Sequence, residues 1–167
     1  MSSEQKRIIS VLMENTPGGL SRVVGLFAQR GYNIDTLNVA PTNDTSLSRL
    51  TLTTRCDDLV IEQITKQLNK LIDVVKVQDI TEGVHIEREL MMIKVRTKGD
   101  ERAEVKRCAD IFRGQIIDVG PSYYTVLVEG DAAKLDAFIE ALADMRVLEV
   151  VRSGICGIAR SDKALTL

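Results

Sequence analysis

Hydrophobic positions along the chain change between strand-like and helix-like periods, and the first half sets the order. A continuous apolar run predicts a strand covered on both faces, and residues spaced three and four apart then predict an amphipathic helix. In the first half the predicted strands are Ile8–Met13, Asn33–Ala40, a segment around Leu50 and Leu52, and Val74–Ile80; one helix carries Leu20, Val23, Val24 and Phe27 on its apolar face, and the other, behind the capping residues Asp57 and Asp58, carries Val60, Ile61, Ile64, Leu68 and Leu71.

The second half repeats this order with a different sequence. Its predicted strands are Leu90–Val95, Ile116–Val119, Tyr123–Val128 and Val147–Val151; one helix, behind Asp100, carries Val105, Cys108, Ala109 and Phe112, and the other, behind Asp131, carries Leu135, Phe138, Ile139 and Leu142. Both halves therefore read βαββαβ, which predicts an α+β protein with two ferredoxin-like domains.

The polar stretches divide the chain into segments. We expect a flexible start at residues 1–6, a first domain at 7–80, a polar linker at 81–88 and a second domain at 89–152. Residues 153–167 are small and contain glycine, so we expect a tail that a neighbour would order.

Composition narrows the classes of function. The net charge is -2, and no basic run marks a nucleic-acid or membrane surface. No apolar run approaches the roughly 20 residues of a membrane span. Cys56, Cys108 and Cys156 are far apart, which excludes metal-binding or redox CxxC spacing and suits a reducing compartment. The polar start Met1–Lys6 is unlike a signal peptide, so we expect a cytoplasmic protein.

The residues that catalysis requires are scarce. The single histidine, His85, falls in the predicted linker, and no serine-hydrolase, zinc-protease or P-loop motif is present. A βαββαβ unit is also the fold of an RNA-binding domain, but the predicted central strands lack the aromatic residues that stack on bases. We expect neither a metal site nor nucleic-acid binding.

The segment Asn15–Leu20 is the best candidate binding feature. Gly18 and Gly19 leave backbone N–H groups uncovered at the start of a helix, where the helix dipole favours a small anion such as a carboxylate. Asn15 and Asn33 supply amides that both donate and accept. Leu20 and Ile34 would form an apolar wall; the alternative is a tight turn that binds nothing.

The same segment resembles a known family. The string ENTPGGLSRVVGLFAQRGYNI, followed by APTND, resembles the ACT domain of acetolactate synthase small subunits. VHIERELM, EVKRCADIFRGQIIDVGPSYYTV and EVVRSGICGIAR follow in the order of that family, so the resemblance covers the chain from about Arg7 onward.

That resemblance implies a regulatory subunit of branched-chain amino-acid biosynthesis. Such subunits activate a catalytic large subunit, which carries thiamine diphosphate, magnesium and FAD, and make it sensitive to valine, with leucine and isoleucine as alternative effectors. Pairs of ACT domains bind the effector at their interface, which implies a homodimer. By resemblance the effector-binding residues are Asn15, Gly18, Gly19, Leu20, Asn33 and Ile34, and the chain itself carries no cofactor.

Three alternatives remain open from the sequence. The first is an ACT-type amino-acid sensor that acts on another enzyme or regulator. The second is a small enzyme built on ferredoxin-like domains, and the third is an assembly subunit whose glycine turn binds nothing. Three assays distinguish them: binding to the large subunit, turnover of pyruvate by the chain alone, and binding of amino acids.

Overall fold

The chain divides into two compact units in the computed structural model, which describes residues 4–162 and 164–167. The first unit comprises the chain up to Ile86 together with Ile155–Leu167, and the second is Glu87–Gly154. The start that was predicted to be flexible lies partly outside the described residues, because residues 1–3 are not described, whereas Gln5 already begins the first strand.

The first unit has the predicted order βαββαβ. Its four strands form an antiparallel sheet whose edges are the second and fourth strands. Its elements are β1 (Gln5–Glu14), α1 (Gly19–Gln29), β2 (Thr36–Pro41), β3 (Leu47–Cys56), α2 (Asp58–Leu68) and β4 (Val74–Asp79), and the strand order is β2-β3-β1-β4.

The second unit repeats the order, so the prediction of two ferredoxin-like βαββαβ units is confirmed. Its elements are β5 (His85–Arg96), α3 (Glu101–Ile111), β6 (Gln115–Val119), β7 (Tyr123–Gly130), α4 (Ala132–Ala141) and β8 (Val147–Arg152), in the antiparallel strand order β6-β7-β5-β8. A last strand, β9 (Cys156–Ala159), follows in the part of the chain that returns to the first unit.

Strand β1 is buried on both faces, as its continuous apolar run predicts. Val11 and its alternate neighbours join the core beneath α1 and α2. Ile8 and Leu12 point to the opposite face and are also buried. On that face Gly157 of β9 lies so close that a Cβ atom there would be 3.5 Å from Ile8 Cγ2. The segment that was expected to be a tail therefore covers the second face of this sheet.

Strand β5 begins inside the stretch that was expected to be a linker. His85–Arg88 is extended, and its side chains alternate between half-buried and exposed. Three of these four residues, His85, Glu87 and Arg88, are polar, and this is why composition alone reads the stretch as a linker.

The helix predictions are right in position and partly wrong in detail. Leu20 and Val24 were placed on the core face of α1, but both are exposed, whereas Val23, Leu26 and Phe27 are buried. The apolar arc of α1 is wider than the stripe that contacts the sheet, so its flank faces solvent.

Two of the four residues predicted to cap helices are confirmed, and Asp58 is instead the first residue of α2. The carboxylates of Asp57 and Asp131 accept hydrogen bonds from backbone N–H groups in the first turns of α2 and α4. The predicted cap at Asp100 is wrong, because Asp100 has helical dihedrals and makes no capping bond. Glu101 instead accepts a hydrogen bond from the Lys98 N–H at 2.8 Å.

A buried ion pair closes the second unit. The Glu89 carboxylate is buried, and both of its oxygens accept from the Arg152 guanidinium, at 2.9 Å and 2.8 Å. These bonds raise the pKa of Arg152 above its usual value. Arg152 also donates to Asp136 at 2.7 Å. The arginine thereby joins β8, β5 and α4.

We predict that Arg152→Met lowers the free energy of unfolding of the second unit by about 3 kcal/mol, because it leaves the Glu89 carboxylate buried without a partner. Hydrogen exchange of the buried amides of β5 measures this change. The double variant Arg152→Met with Glu89→Leu removes the stranded charge and should recover most of the loss. Equal destabilisation of the single and double variants would contradict the prediction.

Candidate functional site

The loop between β1 and α1 is held at one end of the first sheet by the hairpin between β2 and β3. The Asn15 N–H donates to the Ser46 carbonyl at 2.7 Å, and the Asn15 side-chain Nδ2 donates to the Thr45 carbonyl at 3.0 Å. Asn15 is exposed, so these bonds fix the direction of its side chain rather than bury it.

The two glycines of this loop are required for different structural reasons. Gly18 has φ 85°, a left-handed conformation that favours glycine, and it occupies the N-cap position of α1 without a side-chain cap. Gly19 is buried, and a Cβ atom there would lie 2.8 Å from Met13 Cε. The Gly19 N–H donates to the Thr16 carbonyl at 3.2 Å. Gly19 is therefore a packing residue, whereas Gly18 is required by its left-handed backbone.

Asp73, which the sequence analysis missed, anchors the loop from below. Its buried carboxylate accepts from Arg22 of α1, by a contact from Nε and one of 3.0 Å from Nη2, and from the Thr16 hydroxyl at 3.1 Å. Its backbone carbonyl accepts from the Glu14 N–H at 2.8 Å. The bond from Arg22 is the main cause that lowers the pKa of Asp73 below its usual range. The signal in the sequence is a single acidic residue inside the apolar run Leu71–Val75.

A groove of about 220 Å³ lies beside the loop, between α1 and the end of the edge strand β2. Asn15 and Leu20, two of the six predicted effector-binding residues, line it together with Val39 and Pro41 of β2. Leu20 and Val39 are both exposed, so the groove has an apolar wall open to solvent.

Asn33 and Ile34 lie at the opposite end of the sheet. The Asn33 carbonyl accepts from the Thr54 hydroxyl at 2.6 Å, whereas Asn15 is bonded at Ser46. These two anchor points are eight residues apart along β3 and its preceding turn, or roughly 25 Å at the rise of an extended strand. Asn33 also precedes β2 instead of opening it, and it donates from Nδ2 to Asp35 at 2.8 Å. Ile34 packs against the core. One chain therefore brings together Asn15, Gly18, Gly19 and Leu20, but not the other two.

Each half of the chain matches a known protein family model. The family model described as AHAS small subunit-like ACT domain matches residues 9–76, and the one described as small subunit of acetolactate synthase matches residues 88–161. The chain is 55% identical to the acetolactate synthase isozyme 3 small subunit of Escherichia coli K12, over 96% of this chain and 99% of that protein. The chain belongs to the acetolactate synthase small-subunit family.

Other members of the small-subunit family agree in sequence and in fold. The acetolactate synthase small subunit of Haemophilus influenzae is 54% identical over 95% of this chain and 98% of its own length. The crystal structure of the small subunit from Thermotoga maritima superposes with a TM-score of 0.87 at 38% identity, over 95% of this chain and 99% of that one. The resemblance stated from the sequence, including an amino-terminal ACT domain, is confirmed.

Residues 4–162 and 164–167 contain no group of three or more His, Cys, Asp or Glu side chains arranged to hold a metal ion. In the same part of the chain, no helix has both the length and the apolar character for crossing a membrane. All three cysteines are free; Cys56 and Cys108 are buried and Cys156 is exposed.

We predict that Asp73→Asn loosens the loop at neutral pH, because the Arg22 and Thr16 bonds to a carboxylate are lost. Since the pKa of Asp73 is lowered in the folded chain, its stabilising effect is complete above the ordinary Asp pKa of about 3.9 and is lost as pH falls through the lowered value. NMR shifts of the Gly18 and Gly19 amides, followed against pH, should show this step in the wild type and not in the variant.

Glu62→Gln is the matched control for this prediction. The pKa of Glu62 is also lowered, by its bond from Lys66, but both residues lie on the exposed surface of α2. The control should leave the low-pH step of the loop amides unchanged. If the shifts of the loop amides change with pH by the same amount in the wild type and in Asp73→Asn, Asp73 does not anchor the loop.

Proposed function

We propose that this chain is the regulatory subunit of an acetolactate synthase in the cytoplasm, and that it makes a catalytic large subunit sensitive to valine. The observation that supports this most directly is that both halves match small-subunit family models over nearly the whole chain. The match at residues 88–161 favours this proposal over a free-standing ACT sensor, which would need only the first unit.

The proposed effector site is shared between two copies of the chain. Strand β2 is an edge strand of the sheet, and its exposed Val39 lines the same groove as the exposed Leu20 of α1. An exposed edge with apolar neighbours is a surface that pairs with another strand. Two copies related by a two-fold axis would pair their β2 strands antiparallel, as an isologous interface requires.

Antiparallel pairing would unite the two groups of predicted residues. It sets the start of one β2, at Thr36, beside the end of the other, at Pro41, where the groove of about 220 Å³ lies. Asn33 comes three residues before Thr36 and would extend over the groove of the second copy. A homodimer would then have two equivalent sites.

The chemistry of such a site suits a free α-amino acid. The amides of Gly18 and Leu20, at the positive end of the α1 dipole, are suited to a carboxylate. Asn15 and Asn33 each use Nδ2 within their own chain, so their Oδ1 atoms remain to accept from the ammonium group. Leu20 and Val39 would contact an aliphatic side chain. One methylene is worth about 1–3 kcal/mol in an apolar pocket, so leucine and isoleucine should act more weakly than valine.

Valine would act by changing how two ACT domains are paired. A ligand held by both copies stabilises one arrangement of the β2 edges over another, which is an allosteric coupling of typically 1–3 kcal/mol. In this proposal the thiamine diphosphate, magnesium and FAD belong to the large subunit, and this chain supplies only the effector site and the contact with the large subunit.

We predict that Gly18→Asp abolishes valine inhibition while activation of the large subunit persists. The new carboxylate would stand where the effector carboxylate binds, at a backbone with φ 85° that disfavours any side chain. The measurement is acetolactate formation by the reconstituted holoenzyme against valine concentration. Gly25→Asp is the matched control: it adds the same charge to α1 where a Cβ atom has nothing within 4 Å, and should stay valine-sensitive. Normal valine inhibition of the Gly18→Asp enzyme would refute the loop assignment.

We also predict that Asn33→Ala weakens valine binding without unfolding the chain, since Asn33 is exposed and lies outside the core. Loss of one hydrogen bond to the charged ammonium should reduce affinity about tenfold or more. Calorimetric titration of valine into the holoenzyme measures it, and thermal unfolding checks the fold. Unchanged affinity would remove Asn33 from the site.

A further inference from the structure

A second cavity, of about 490 Å³, lies on the face of the first sheet that is turned away from α1 and α2. Arg49 and Thr51 of β3, with Asn38 of β2, form its floor. The wall is formed by Cys156–Ala159, Ser161 and Ala164–Thr166. Its volume falls within the usual range for small-molecule sites.

Arg49 is the charged group of this cavity. It is half-buried, and its Nη2 donates to the Ser10 hydroxyl at 3.2 Å and to the Gly157 carbonyl at 2.8 Å. Both acceptors are neutral. Among the residues that the structure describes, no carboxylate forms an ion pair with Arg49, and no Asp or Glu lines the cavity.

The hydrogen bonds of Arg49 go to neutral groups, which do not balance its charge. Burial is the larger cause and lowers the pKa of Arg49 from its ordinary value, while the electrostatic interaction with Cys156 opposes it. Arginine presents five N–H donors in a planar fork, and one Nη2 group accounts for both bonds to the protein. Nη1 is not used in either bond, and its N–H groups can donate to an oxygen of a carboxylate or phosphate group.

We propose that this cavity binds a small organic anion, through a carboxylate or phosphate group paired with Arg49. The apolar part of the anion would contact Leu12, Ala40 and Ile158, and polar atoms would meet Asn38 and Thr51. This site differs from the proposed effector groove, since it lies on the other face of the sheet and uses neither Gly18 nor Asn33; the two share only Ala40 and Pro41 among their lining residues. A bound anion would connect β9 to β3.

The test is calorimetric titration of the full chain with three probes of similar shape: phenyl phosphate, benzoate and the uncharged benzamide. We expect one or both anions to bind more tightly than benzamide. Arg49→Gln should weaken the binding of that anion about ten- to a hundredfold, the usual effect of losing hydrogen bonds to a charged group. Arg49→Lys keeps the charge and should retain part of the affinity. If phenyl phosphate binds more tightly than benzoate, the natural ligand carries a phosphate group; if benzoate binds more tightly, it carries a carboxylate.

Cys156 provides a readout that needs no variant of Arg49. It lines the cavity and is exposed, whereas Cys56 and Cys108 are buried. The anion that binds should slow alkylation of Cys156 by iodoacetamide, and Gly18→Asp should leave that protection unchanged. The proposal is overturned if neither anion binds more tightly than benzamide, if a folded Arg49→Gln binds the anions as well as the wild type, or if Cys156 reacts equally fast with and without them.

Discussion

The antiparallel strand order of the first unit determines where each group of candidate residues can lie. Because β1 and β3 run side by side in opposite directions, the loop after β1 meets the turn before β3, while the segment before β2 meets the far end of β3. The loop at Asn15 and the segment at Asn33 are thus held roughly 25 Å apart in one chain. In the proposed homodimer, a ligand of the size of an amino acid would contact both where the β2 edges of two copies meet.

Much of the fold follows from local patterns in the sequence. Three local patterns predicted elements that the structure contains. They are the continuous apolar run of β1, which is buried on both faces, the apolar stripes of the helices with their period of 3.6 residues, and the aspartates at the starts of two helices. Where prediction failed, the deciding contact was distant in sequence. Leu20 and Val24 satisfy the helical spacing, but only the position of the sheet decides which part of the apolar arc is covered.

The residues around the site show the same limit. The glycines were predictable, because a sharp strand-to-helix turn favours them, yet their separate roles depend on Met13 beneath Gly19 and on the left-handed backbone at Gly18. Asp73 could not be found from motifs, since it meets Arg22 and Thr16 only through the sheet, more than fifty residues along the chain. The segment after Arg152 was predicted to be a tail because its residues are small and include glycine; the structure places Gly157 against Ile8 and Thr51 of the first sheet.

The most direct test of a shared effector site is to count valine molecules bound by mixed dimers. Chains carrying Gly18→Asp and chains carrying Asn33→Ala, each with its own affinity tag, are co-expressed and the mixed dimers purified through both tags. If each site takes its glycine loop from one copy and Asn33 from the other, both changes fall in the same site and the second site is intact. Calorimetry should then find about one valine per mixed dimer at wild-type affinity, and none at that affinity for either parent. If the mixed dimers bind no better than the parents, each site lies within one chain, and the shared arrangement across β2 is wrong.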